Sequence, residues 1–280
     1  MKDQRSDLPE FERPPLVETA LSVQFAPLSG LDIPRIGLLW QQFRDRLPRV
    51  EQQPPLRPMV ERIGVRTSLG SPGFQILQKP PIPRCWFLSE AEDELVQIQQ
   101  DRFGWNWRKT SDGQSYPRYE RTVRPRFIEY LQEFLNFLQA QGVGEFIPNQ
   151  CEVIYVNEIS LDDIKADHGM LDAVFRGWAG TYRECSPLQL ESSRIEVRHL
   201  IPGPKGEFIG RLYITVDPAF RRSDDRPIFF MQLIARGKPL TPDYDGTLGF
   251  LDLGRRYIVE SFDAATTPLM HKLWGRRNGS

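Results

Sequence analysis

The stretch from Glu94 to Arg108, ELVQIQQDRFGWNWR, changes phase partway along, and that change limits how the chain can fold. Val96 and Ile98 are apolar on one parity while Gln97, Gln99 and Asp101 are polar on the other, the pattern of a half-buried antiparallel strand. From Phe103 onward the odd positions are aromatic (Phe103, Trp105, Trp107) and the even ones are Gly104, Asn106 and Arg108. Side chains change faces at every residue, so one unbroken strand would expose either the aliphatic pair or the three aromatics. The conflict predicts a β-bulge or tight bend between Gln100 and Gly104. Past it, Gln97, Gln99, Arg102, Asn106 and Arg108 gather on one polar face. A merely solvated sheet face has the same composition, so residue type alone does not mark it as a binding surface.

The rest of the chain supplies partners for such a sheet. LVETALSVQF alternates over residues 16–25 and predicts a strand. Asp32 is placed to cap a helix carrying Ile36, Leu39, Trp40, Phe43 and Leu47, which Pro48, Pro54, Pro55 and Pro58 end in an extended surface crossing. A weak strand is expected near 59–65, FQILQ is a further apolar run at 74–78, and RCWFLS predicts a strand over 84–89. Pro125 opens a long helix to about Gln141, closed by Gly142 and Gly144.

The pattern then begins again. CEVIYVNEIS predicts a strand and LDDIKADHGMLDAVFRGW a helix over 161–178, followed by strands over 193–201, 207–216 and 227–236. A helix over 247–263 and a short one capped by Thr267, with Pro268 at its first position, complete the chain. The order strand, helix, three strands, helix thus occurs twice. It predicts an α+β fold of two pseudo-duplicated units, 14–145 and 146–280, forming one compact body behind a mobile segment 1–13. The units share a curved antiparallel sheet with long helices on one face, in shape like the TATA-binding-protein saddle and helix-grip folds. On the other face the second unit contributes Glu196 and Arg198, then Arg211, Tyr213, Thr215 and Asp217, then Gln232 and Arg236.

Several segments together, PPLVETALSVQF, QIQQDRFGWNWRK, YPRYE and the ending VESFDAATTPLMHKLWGRR, resemble a sporadically distributed family of bacterial proteins of about this length. The resemblance implies a bacterial soluble protein of one architecture. Its patchy distribution implies horizontally transferred genes, as in defence or mobile-element systems. It supplies no catalytic residue.

Chemistry leaves few traces in the sequence. Neither GxGxxG nor GxxxxGK[ST] occurs, and no GxSxG elbow is present. Cys85, Cys151 and Cys185 have no CxxC spacing, which argues against a zinc site or a disulfide framework. Asp163, Asp167 and His168 lie close enough in sequence to bind a cation, but acidic residues in a first helical turn also complement the helix dipole. His199 shares parity with Ile195 and Val197 and is expected inside, whereas His271 is expected on a helix surface. No metal, cofactor or catalytic residue is assigned. The 36 Lys and Arg against 37 Asp and Glu give no global attraction to nucleic acid or anionic lipid. The start, MKDQRSDLPEFERPP, has no apolar h-region, so a cytoplasmic protein without membrane association is expected.

The resulting expectation is a non-enzymatic binding or assembly protein whose polar sheet face or edge holds a macromolecular partner, a second protein or a second copy of itself. The alternative is a nucleic-acid-binding regulatory or defence protein, with the arginines of YPRYERTVRPR and RRSDDR in one basic patch.

Overall fold

The computed structural model describes residues 8–64, 82–177 and 189–277. Strand β1 is Glu10–Phe11, β2 Leu16–Phe25, helix α1 Ile33–Phe43, and β3 to β6 are Arg49–Gln53, Arg84–Leu88, Glu94–Gln99 and Arg102–Arg108. A π-turn over Tyr119–Val123 leads into α2, Arg124–Ala140, and β7 follows at Pro148–Ser160. After the short α3, Leu171–Val174, come β8 to β10 at Ile195–Pro202, Phe208–Phe220 and Pro227–Gly237. Helices α4, Tyr244–Ala265, and α5, Pro268–Leu273, precede a last short strand, β11, at Arg276–Arg277.

Among the described residues nine strands form one antiparallel sheet in the order β3-β4-β5-β6-β2-β7-β10-β9-β8. Strands β2 and β7 meet at its centre, and each half of the chain builds outward from its own central strand.

The phase change in the Glu94–Arg108 run is resolved by a reversal of direction. The run is two strands joined by the two-residue turn Gln100–Asp101, with Gln99 opposite Arg102 and Ile98 opposite Phe103. Pairing across this hairpin always matches an even position with an odd one. Val96, Ile98, Phe103 and Trp105 therefore share one face although their parities differ. Where a bulge or tight bend was expected between Gln100 and Gly104 the chain makes this turn, and the register shifts in the sheet lie on the β2–β7 seam and between Ile201 and Pro202 of β8 instead.

That apolar face carries the helices. Phe103 stacks on Phe134 of α2 at 5.3 Å and meets Phe127 edge-on at 5.8 Å. Phe43 of α1 packs on Phe87 and Tyr130, and Trp105, fully buried, donates its indole N–H to Glu94 Oε1 at 2.7 Å. Each such side chain stabilises by about 1.5–3 kcal/mol through removal from water. Helix α4 lies against β7 and β10 because Gly254 has no side chain; a Cβ there would stand 3.1 Å from that of Ala235. Asp32 caps α1 by accepting from Arg35 N at 3.0 Å, and Asp243 caps α4 by accepting from Gly246 N at 2.7 Å.

Several expectations change. The helix expected over 161–178 is not formed: a 3-10 turn at Asp162–Ile164 ends at Lys165, whose φ of 52° is left-handed, and only Leu171–Val174 is helical beyond it. Trp178, Cys185 and the FQILQ run lie outside the described residues. The strand expected near 59–65 is absent from 59–64; the neighbouring strand is instead the polar edge β3. Of the segment 1–13 expected to be mobile, Glu10–Phe11 pairs with Arg276–Arg277, and Leu8 and Phe11 are buried. His199 is exposed on the edge strand β8, whereas His271 is buried and its Nε2 lies 2.9 Å from Thr266 Oγ1.

Candidate functional site

Opposite the helices, the alternation of each strand delivers a polar surface. Pairing places Gln99, Arg102, Gln24 and Gln150 in one row across β5, β6, β2 and β7. The next row runs from Gln97 through Gly104, Ser22 and Glu152 to Arg236 and Arg211. Glu196, Arg198, Tyr213 and Gln232 follow on the same face, and Asn106 and Arg108 occupy its other end. All the residues that the sequence assigned to the polar face, Thr215 and Asp217 among them, therefore share the helix-free side.

That face is not wholly open to water, because residues 54–64 cross it at an angle to the strands and are held through their main chain. Gln99 accepts from Leu56 N at 2.8 Å and donates to Leu56 O at 2.8 Å, while its second amide proton goes to Asp101 at 2.7 Å. Gln24 accepts from Met59 N at 2.9 Å, and Gln150 accepts from Glu61 N at 2.9 Å. The spacing explains the fit. From β5 to β2 is two strand spacings, roughly 10 Å, which three extended residues, Leu56 to Met59, cover at about 3.3 Å each. From β2 to β7 is one spacing, and two residues span it.

Beyond Gln150 the crossing segment reaches a charged pocket. Tyr213 donates its hydroxyl to Glu61 Oε1 at 2.7 Å, Arg211 pairs with Glu61 Oε2, and Arg211 Nη2 donates to Arg62 O at 2.9 Å. Arg236 stands 3.6 Å from the same carboxylate and also pairs with Glu152. The Glu61 side chain is only 5% exposed, so its charge is neutralised by contact and not by solvent. Burial, followed by the neighbouring Glu61, pushes the Tyr213 phenol above its ordinary range and keeps it a proton donor.

The other end of the face is a recess of about 280 Å³ lined by Gln97, Asn106, Arg102, Arg84, Trp86 and Glu18 among others. Gln97 donates to Asn106 at 3.2 Å, and Asn106 donates to Glu18 at 2.9 Å. Gly104 makes room for Gln97, whose side chain would lie 2.8 Å from a Cβ added there. Arg102 donates to Gln24 at 3.0 Å and Arg84 to Gln97 at 3.2 Å. Burial, then the neighbouring Arg102 charge, lowers the Arg84 guanidinium below its usual range. Arg108 is drawn to the rim by Glu92, and Arg198 pairs with Glu196 on the outer edge.

The residues that sequence reasoning missed are Gln24, Gln150, Glu152 and Glu61. The first three continue the polar parity of their strands and were legible as such. Glu61 sits in a proline-broken stretch with no periodicity to mark it.

The candidate metal set does not assemble. His168 Nε2 lies 3.1 Å from Ala219 O and 3.0 Å from Ile228 O, and Asp167 accepts from Gly169 N at 2.8 Å. Among the described residues no group of three or more His, Cys, Asp and Glu side chains is placed to hold a metal ion. Cys85 and Cys151 are buried thiols, and burial raises both above the ordinary thiol range. No helix among the described residues is long and apolar enough to cross a membrane. Comparison with protein-family models, with curated proteins and with solved structures gives no match.

Proposed function

We propose that this chain is a binding protein that holds an extended polypeptide of a protein partner, or of a second copy, across the helix-free face of its sheet. One observation carries the reading: the face already receives such a segment, residues 54–64, through a row of glutamines that bind main-chain groups. Main-chain recognition tolerates many sequences, and the Arg211, Tyr213 and Arg236 pocket adds selectivity for an acidic side chain. The chain's own segment acts as a resident competitor, present at the high effective concentration of a tethered ligand.

The doubled reading of the fold belongs to this proposal. Outward from the centre, β2, β6, β5 and β4 match β7, β10, β9 and β8 in order and connection, which supports two copies of one unit in a saddle-like sheet. The family resemblance supports a bacterial, soluble protein in a setting such as a defence or mobile-element system. For nucleic acid the support is weaker. Arg108, Arg198, Arg211 and Arg236 each face a carboxylate, as do Arg124, Arg126, Arg221 and Arg226 of the two basic stretches, so among the described residues of those stretches only Arg118, Arg121 and Arg222 carry no such ion pair to set against phosphates.

The test is direct. Residues 54–64 are replaced by a glycine-serine linker, and a labelled peptide of the same sequence, PPLRPMVERIG, is titrated into the folded variant. Saturable binding that weakens at least about tenfold with Gln99→Ala or Gln150→Ala is expected. Failure of the peptide to bind the folded variant would remove the proposal.

A further inference from the structure

On the opposite side of the sheet, a cavity of about 290 Å³ lies between β2, β7 and α4, closed at one side by Pro9–Phe11 and at another by the stretch from Tyr116 to Arg121. Its volume is at the small end for ligand pockets. Part of its wall is apolar, with Phe11, Leu16, Ile258 and Phe262, and part is a cluster of hydrogen-bond donors.

The donors are in surplus. The Arg255 side chain is 17% exposed, yet its nearest carboxylate, Glu120, stands 3.8 Å away, and its buried Nε has no acceptor. Arg124 on the neighbouring helix shows what a settled guanidinium looks like here, with two contacts to Asp252 at 2.8 and 3.1 Å. Arg255 lies over the Tyr119 ring at 5.0 Å. The Tyr155 and Tyr116 hydroxyls are 2.9 Å apart. Burial raises both phenols, so both keep their protons. Two hydroxyls that share one hydrogen bond have a second proton to place, whichever of them donates. Thr19, opposite Tyr155 in the sheet, has a buried unpartnered hydroxyl that can take one of these protons, and Glu120 meets Arg255 only at 3.8 Å, so the guanidinium beside the cavity has room for a closer anionic acceptor. The π-turn at Tyr119–Val123 helps build this wall, and such turns recur at binding sites.

We infer that this cavity binds a small aromatic monocarboxylate, its carboxylate taken by Arg255 and the Tyr116–Tyr155 pair and its ring lying among Phe11, Ile258 and Phe262. The site is independent of the polypeptide-binding face and stands or falls separately from it.

The test uses the purified full chain with benzoate and phenylacetate, and with their uncharged amides at equal concentration, read by calorimetry and by thermal melting. The carboxylates are expected to bind saturably and raise the melting temperature, with the amides at least about tenfold weaker. Arg255→Met is expected to abolish the preference for the acid. Tyr116→Phe removes a single oxygen, leaves the packing intact and is expected to weaken the acids several-fold, so it decides the matter if Arg255→Met does not fold. Equal binding of acid and amide, acid binding unchanged in Tyr116→Phe, or no saturable binding into the millimolar range would each overturn the inference.

Discussion

Gln99 and Leu56 close a two-bond ring: the Leu56 N–H donates to the glutamine oxygen, and the glutamine nitrogen donates back to the Leu56 carbonyl, both at 2.8 Å. A flat amide thus treats an irregular segment as a neighbouring strand would. Gln99→Ala removes both bonds and is expected to cost about 2 kcal/mol. Hydrogen exchange should accelerate at residues 55–62 well before the sheet amides respond. Unchanged protection there would mean that the segment is held by something else.

Glu61 is the second anchor, and its removal should be felt by its partners. Glu61→Ala leaves Arg211 and Tyr213 facing each other across an emptied pocket, an expected loss of about 3 kcal/mol. Combining it with Arg211→Met should cost less than the sum of the two single changes. Strict additivity in urea denaturation would show that the pair is not coupled.

On the apolar side the scale is larger. Phe103 is fully buried between Phe127 and Phe134, and Phe103→Ala is expected to destabilise by about 3–5 kcal/mol through lost burial and a cavity. A melting curve would show whether α2 and the β5–β6 hairpin unfold together with the rest.

His271 makes stability depend on pH. The single hydroxyl proton of Thr266 goes to Phe262 O at 2.8 Å, so at 2.9 Å His271 Nε2 is the donor to Thr266 Oγ1. Burial, helped by the Arg176 and Arg276 charges and opposed by Asp263, lowers the imidazole below its ordinary value of 6.5. The unfolded chain therefore binds the proton more readily. Stability is full above that value and is expected to decline as pH falls below it, until the folded form is protonated as well. Denaturation midpoints at several pH values should show the decline, and His271→Gln should flatten it.

Much of this was legible in the alternation of apolar and polar residues. Most of the strands and the polar face follow from side chains that alternate at every residue, and the parity flip between Ile98 and Phe103, read from the sequence as a bulge or tight bend, marks the place where the chain reverses. What the pattern did not carry was the difference between a kink and a reversal, since a bulge and a two-residue turn flip parity alike. Nor did it carry the path of residues 54–64. Their main chain is held by glutamines on distant strands, and a proline-broken segment gives no period from which to infer such contacts. The histidines were misplaced for a related reason: His199 sits on an edge strand that nothing covers, and His271 is buried by Phe11, which sequence reading left in a mobile tail.

The central seam imposes an order on synthesis. Residues 16–25 wait for residues 102–108 to supply one edge partner and for residues 148–160 to supply the other, with α2 and its loop translated in between. Until then a nascent chain displays an unpaired, largely apolar β2 edge, the kind of surface on which chaperones and aggregation compete. How quickly β7 leaves the ribosome therefore bears on yield as directly as any contact in the finished sheet.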